Sequence, residues 1–183
     1  MSDAGRIREQ VIVLRCQLGE TEAFRELVDL MEDRLFYYVR RFVHDEGSAY
    51  DLLQEVWITI FRKIRNLRDA GSFRPWIYRI AHDQVVTHIR REMARERAEN
   101  GYREVISCES SDIGWDRTAA EEIHWHMLRL NALHREVLTL FFLEEMKYEE
   151  IAQVVGCEVG TVKSRLFNAK EALRQAMEAH KGV

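Results

Sequence analysis

A single proline stands in the whole chain, and nine glycines supply the remaining punctuation. So few breakers exclude a disordered Pro/Gly-rich segment and a turn-dense all-β fold. Alternation of β-branched residues is nearly absent, which leaves helices as the expected element. The three cysteines, Cys16, Cys108 and Cys157, lie far apart and include no Cys-x-x-Cys pair. Neither a disulfide framework nor a metal knuckle follows from that spacing, and Cys157 reads as a small buried residue. No apolar run approaches the roughly 20 residues that a membrane span needs. The opening MSDAGRIREQ lacks the apolar centre of a signal peptide. A cytoplasmic protein without membrane insertion is expected. His82, His88, His124, His126 and His134 include helical spacings, yet no carboxylate-supported metal set or activated nucleophile stands with them. Solvated helix residues account for them, so no enzyme, catalytic residue, cofactor or metal is expected.

What is present is hydrophobic content of 46% and an uneven charge distribution under a formal net charge of −4. Residues 62–97 hold ten Arg/Lys against four Asp/Glu, whereas residues 98–122 hold two against seven. Residues 156–183 return to five against three. Two basic blocks separated by an acidic connector suit two contacts with nucleic acid, and the distribution outweighs the sum.

Taken in order, residues 5–18 form a helix of weak pattern whose best apolar positions are Ile7, Val11 and Leu14. Gly19-Glu20-Thr21 punctuates it. From Glu22, the series Phe24, Leu27, Val28, Leu30, Met31, Leu35, Tyr38, Val39 and Phe42 predicts a long amphipathic helix to about Val43. A third helix over about 48–66, with Ser48 as N-cap, carries Leu52, Leu53, Val56, Trp57, Ile60, Phe61 and Ile64 as its apolar set. Asp51, Gln54 and Glu55 fall elsewhere on its wheel, as either a solvated face or a protein-docking surface. Asn66–Ser72 is a loop. A strongly basic helix, capped by Ser72 and tolerating Pro75 in its first turn, then runs from Phe73 into the mid-90s, burying Phe73, Ile77, Ile80, Ala81 and Val85. Trp76 reads as core or rim packing. The connector over about 97–120 has no helical period and should be flexible, and a helix resumes from Glu121 to Leu130.

The last block, Met146 to Lys170, reads as two short helices joined by a tight turn. Tyr148, Ile151, Ala152 and Val155 share one face, and Gly156 ends the helix in the left-handed conformation that glycine enters without penalty. The second helix starts near Val159 and buries Val162, Leu166, Ala169 and Leu173. Its opposite side carries Lys163, Ser164, Phe167 and Asn168. An ordinary helical hairpin shares this outline. A large apolar residue at Phe167, set among polar neighbours, favours a helix-turn-helix whose second helix meets DNA.

These residues carry a resemblance. Tyr148-Glu149-Glu150-Ile151-Ala152, Val159-Gly160-Thr161-Val162-Lys163-Ser164-Arg165-Leu166 and the lead-in Leu133–Leu138 resemble the promoter-binding fourth region of extracytoplasmic-function sigma factors. Asp51-Leu52-Leu53-Gln54-Glu55-Val56-Trp57 resembles the polymerase-docking helix of that family. Phe73-Arg74-Pro75-Trp76-Ile77-Tyr78-Arg79-Ile80-Ala81 and Arg90-Arg91 resemble the start and close of its promoter-opening helix.

The resemblance implies an all-α fold of two small helical domains. Residues 1–96 would dock on core polymerase and hold the downstream promoter element, 97–120 would be a flexible acidic linker, and 121–183 would be the helix-turn-helix domain for the upstream element. The function implied is an alternative sigma factor that binds core RNA polymerase and directs promoter recognition, with promoter DNA and an anti-sigma factor as further partners. Lys163, Ser164, Arg165, Phe167, Asn168 and Lys170 would contact the upstream element. Asn66, Arg68, Arg79, Asp83, Arg90 and Arg91 would contact the downstream one, and Asp51, Gln54 and Glu55 the polymerase. The family often has arginine at the positions of Asn168 and Lys170, and commonly asparagine at that of Asp83. Two other readings stay open: a sigma-like decoy that sequesters an anti-sigma factor, and a plain helix-turn-helix regulator.

Overall fold

The computed structural model describes residues 3–43, 45–100, 125–127 and 129–181. Among them there is no strand, as the scarcity of β-branched alternation implies. The chain divides into two compact units, Met1–Glu99 with Gln153–Val155, and Asn100–Ala152 with Gly156–Val183. The first holds α1 (Asp3–Gln17), α2 (Thr21–Arg40), α3 (Glu46–Lys63) and α4 (Phe73–Asn100). The second holds α5 (Ala132–Leu138), α6 (Tyr148–Val155) up to Ala152, and α7 (Val159–Lys181). The expected flexible connector falls mostly on residues 101–124, outside the described residues. Residues 97–100 belong to α4, which runs past the mid-90s where the sequence reading ended it.

The core of the first unit follows the long series read from α2. Ala23, Leu27, Met31, Leu35, Tyr38 and Val39 are buried, one or two per turn, against Leu52, Leu53, Val56 and Ile60 of α3. Phe73, Ile77, Tyr78, Ile80, Ala81 and Val85 complete it from α4. The Tyr38 and Tyr78 rings meet edge to face at 5.3 Å. Fully burying each aliphatic side chain of this kind stabilises the fold by about 1.5–3 kcal/mol. Trp76 is half-buried, its ring 6.2 Å from that of Phe73, as packing at the core's rim requires.

Several local expectations are corrected. α3 begins two residues early because Asp45, not Ser48, is its N-cap: the Asp45 carboxylate accepts from the Ser48 N–H at 2.8 Å and from the Ser48 hydroxyl at 2.6 Å. A carboxylate at a helix N-terminus also meets the positive end of the helix dipole, which a hydroxyl cannot match. Ser72 does not cap α4 either. It lies in a 3-10 turn, Ala70–Ser72, whose cap is Asp69. α2 stops at Arg40 rather than Val43, and α3 gives way to a 3-10 turn at Ile64–Asn66.

The faces of two helices also differ from expectation. On α1, Ile7, Val11 and Leu14 are exposed, while Glu9, Ile12, Val13 and Cys16 are buried. Burial pushes the Cys16 thiol up to about 11. On α3, Phe61 is 63% exposed and Trp57 only half-buried, although both belong to the helix's apolar set. Gly19 makes the α1–α2 turn at φ +89, and Arg15 ties the two helices by bonds to Glu20 and Glu26 at 2.8 and 3.0 Å.

In the second unit α5 runs into a single π turn, Thr139–Leu143, closed by the Glu144 N–H on the Thr139 carbonyl at 3.2 Å. The helix expected to reach Leu130 has already become a turn at Arg129 and Leu130, and Asn131 caps α5 by accepting from the His134 N–H at 2.8 Å. Met127 and Leu130 are buried, whereas Glu121–His124 lie outside the described residues.

Candidate nucleic-acid interface

The helix-turn-helix is built from local signals. Glu150 reaches back from the first turn of α6 to accept the Lys147 N–H at 2.7 Å, so the motif's second glutamate starts the helix. Gly156 ends it at φ 69, ψ 43, with its N–H on the Ala152 carbonyl at 3.0 Å. A side chain there would pay the left-handed penalty that glycine avoids. Cys157, expected to be buried, is half-buried in this turn.

On α7, Val162, Leu166 and Ala169 are buried and Leu173 half-buried, and the helix packs on α5. Lys163, Ser164, Phe167, Asn168 and Lys170 are exposed, and Arg165 is half-buried. The Phe167 ring, 72% exposed, is held out among polar neighbours. Ser164 donates its hydroxyl to the Thr161 carbonyl at 3.0 Å, and the side chain is exposed. The Lys163 ammonium sits 5.7 Å from the Tyr148 ring centre. Lys170 is turned the other way, over the Phe141 and Phe142 rings at 5.1 and 5.2 Å. It lines a cavity of about 370 Å³ with Leu138, Phe142, Leu173, Arg174 and Met177.

Gly160, given no role of its own in the sequence pattern, lies in the first turn of α7. A Cβ built there would meet nothing within 4 Å. No packing within the protein therefore calls for glycine at that point. The signal was available as a helix-disfavouring residue inside a strong helical pattern.

In the first unit the loop between α3 and α4 is shaped by Asp69. Its carboxylate accepts from the Gly71 N–H at 2.9 Å and from the Ser72 hydroxyl at 2.8 Å. These bonds, the Ser72 hydroxyl first, hold the Asp69 carboxyl below its ordinary value. Asn66 and Arg68 project from this loop and are exposed. On α4, Arg79, Asp83 and Arg90 recur at i, i+4 and i+11, one helical face, and Arg91 is exposed beside them. Arg79 is half-buried and pairs with Asp83 at 3.2 Å. Such an exposed pair is worth about 0–1 kcal/mol. Its main consequence is that the Asp83 oxygens are already oriented.

On α3, Asp51, Gln54 and Glu55 are exposed. Tyr50, Ile58 and Phe61, exposed at 54%, 36% and 63%, flank them. The Phe61 ring packs edge to face on Phe24 at 5.0 Å, and Tyr50 stacks on Phe36 at 4.6 Å. Exposed apolar side chains therefore stand beside the three polar groups on this helix.

The class these elements define is a helical DNA-binding protein that couples a helix-turn-helix unit to a basic helical unit. Residues 27–95 match Sigma-70 region 2, and residues 126–173 match Sigma-70, region 4. The RNA polymerase sigma-H factor of Pseudomonas aeruginosa is 35% identical, over 93% of this chain and 94% of that protein. The ECF RNA polymerase sigma-E factor of Escherichia coli strain K12 is 29% identical, over 92% of this chain and 93% of its own. Among solved structures, a Bartonella quintana sigma factor RpoE, in complex with the anti-sigma factor NepR, superposes with a TM-score of 0.71. That likeness has 20% identity and covers 86% of this chain and 98% of the other. The chain belongs to the extracytoplasmic-function sigma factors of the sigma-70 family. It is thus a non-enzymatic subunit that binds core RNA polymerase and directs promoter recognition and transcription initiation. The match in the first unit removes the plain helix-turn-helix regulator. Among the described residues no helix is long and apolar enough to cross a membrane.

Proposed function

We propose that residues 121–183 read the upstream promoter element as duplex, while residues 1–96 dock on polymerase and hold the downstream element after its strands separate, with residues 97–120 as the tether. The observation that carries the first part is the exposed set Lys163, Ser164, Phe167 and Asn168 opposite a buried stripe. Asn168 offers the donor and acceptor that match adenine N7 and N6 in the major groove, and Phe167 offers an apolar surface to a thymine methyl. Arg165 contacts phosphate or braces the motif. Lys170, lying over two rings, braces it and presents its charge at the phosphate backbone's edge.

For the downstream element, Asn66 and Arg68 on the loop and Arg79, Asp83, Arg90 and Arg91 on α4 supply backbone charge and a base-reading pocket. Asp83, an acceptor when ionised, suits the amino group of cytosine better than an acceptor-rich base edge. Asp51, Gln54 and Glu55 meet core polymerase, with Tyr50 and Phe61 at the rim. The protein acts in the cytoplasm, where the bacterial chromosome is transcribed, and an anti-sigma factor holds it inactive. The related sigma factor RpoE of Bartonella quintana, held in complex with the anti-sigma factor NepR, supports that last point.

Run-off transcription with core polymerase tests the whole reading. Wild type should initiate at a cognate promoter, and Gln54→Ala/Glu55→Ala should lose core binding while keeping wild-type helical content. Unchanged core affinity in a titration would remove the docking assignment.

A further inference from the structure

α1 lies upstream of the family match, which begins at residue 27, and nothing in its composition suggests a role. Its inner face closes on the loop between α3 and α4. The Gln17 carboxamide donates to the carbonyls of Ile64 at 3.2 Å and Leu67 at 2.5 Å. Two acceptors on one NH₂ group settle its orientation, because the flipped amide would set oxygen against two oxygens. The bonded Leu67 peptide stands between Asn66 and Arg68, the two exposed loop side chains. At the far end of the loop, Glu9 pairs with Arg74 of α4 at 2.8 Å, the side chains only 6% and 12% exposed. Between them Asp69 closes the loop on itself. The loop is thereby fixed at both ends by one helix and in the middle by its own cap.

Leu67 is extended, at φ −68 and ψ 116, between two 3-10 turns. An extended residue at a loop corner has no ladder or helix to satisfy its carbonyl, so another group must do so. Gln17 fills that need from about fifty residues away. We infer that Gln17 is a positioning residue for base selection, its carboxamide holding the peptide between Asn66 and Arg68 in the geometry that reads the downstream element. This rests on the proposed role of the loop.

Removing the bond would release the peptide and let Asn66 and Arg68 sample several directions. Charge attraction to the strand would survive, while discrimination between bases would fall, since it demands fixed donors. A residue that merely stabilised the fold would instead lower the active fraction for every sequence alike.

The test uses the full chain assembled with core polymerase and a single-stranded downstream-element library randomised one position at a time. Gln17→Met keeps the length and removes the donors. It should flatten base preference at one or two positions by about two- to tenfold, the worth of a net hydrogen bond, with total binding to the pooled library changed less. Gln17→Lys restores donors towards the two carbonyls and should recover most of the preference. Asn66→Ala and Arg68→Ala, run beside them, test the loop's role itself. If those loop variants keep the wild-type profile, the reading of the loop fails. If they alter it and Gln17→Met does not, the positioning role fails and the loop reading stands. Uniform loss across all sequences by Gln17→Met would also overturn the proposal and make Gln17 a structural residue.

Discussion

α1 and α7 carry comparable apolar sets at helical spacing, yet the structure uses them in opposite ways. On α7 the stripe Val162, Leu166 and Ala169 is buried and the polar side faces out. On α1 the most regular apolar positions, Ile7, Val11 and Leu14, are exposed, as is Leu18 just beyond its end, and the buried face includes Glu9. α7 has one apolar side, so burial had only one solution. α1 has two, Ile12, Val13 and Cys16 forming the second, and the choice fell to the face whose polar groups find partners across the unit. Periodicity thus finds a helix in both cases and its orientation in only one.

The largest effect should come from breaking the polar half of the α1 face. Glu9→Ala leaves the Arg74 guanidinium without its buried carboxylate and should cost about 3–5 kcal/mol in urea unfolding. A loss below about 1 kcal/mol would mean that solvent reaches the pair. Next, Leu166→Ala on α7 should cost about 2–5 kcal/mol through the cavity it opens. Leu14→Ala on α1 should stay within about 0.5 kcal/mol, as an exposed side chain does. Equal costs for the two leucines would erase the contrast between the helices.

On the outward face of α7, Asn168→Ala should spare the fold and cost about 1–3 kcal/mol in binding, relaxing preference at one base pair. The measurement is full-length holoenzyme binding to duplexes randomised in the upstream element, where a wild-type base profile would exclude Asn168 from readout. Gly160→Ala sharpens the same point. With open space around it, alanine should stabilise the helix by about 0.5–1 kcal/mol in thermal unfolding, since glycine is disfavoured there. If a DNA backbone approaches this first turn closely, the same variant should bind promoter more weakly despite its higher stability.

The smallest effect concerns the loop cap. The folded-state Asp69 carboxyl lies below its ordinary 3.8, held there by the Ser72 hydroxyl and the Gly71 N–H. A depressed carboxyl contributes stability above the unfolded value, and that contribution is lost as pH falls through the folded value. A carbon-detected NMR titration of the side chain should therefore find its midpoint below 3.8, moving up in Ser72→Ala. A wild-type midpoint at or above the ordinary value would show the cap to be unformed in solution.

Much of the site was legible because its causes are local. Gly156 at φ 69, the Glu150 bond to the Lys147 N–H and the stripe Val162–Leu166–Ala169 all connect residues within one or two helical turns. Backbone sterics, capping and helical period act over that range, so the sequence by itself determined the helix-turn-helix and the side of α7 that is left exposed. It likewise determined the all-α class and the long apolar face of α2. The α3 N-cap was misplaced because Asp45 and Ser48 bond to one another, and either order of cap and partner fits the sequence. Tertiary structure alone decided which face of α1 is buried, that Phe61 stays exposed on α3, and that Gln17 holds the carbonyls of Ile64 and Leu67. The physical reason is that a backbone carbonyl accepts from a donor regardless of its own side chain, so no residue code marks the distant partner. Only the packing of α1 against the first unit brings the donor within reach.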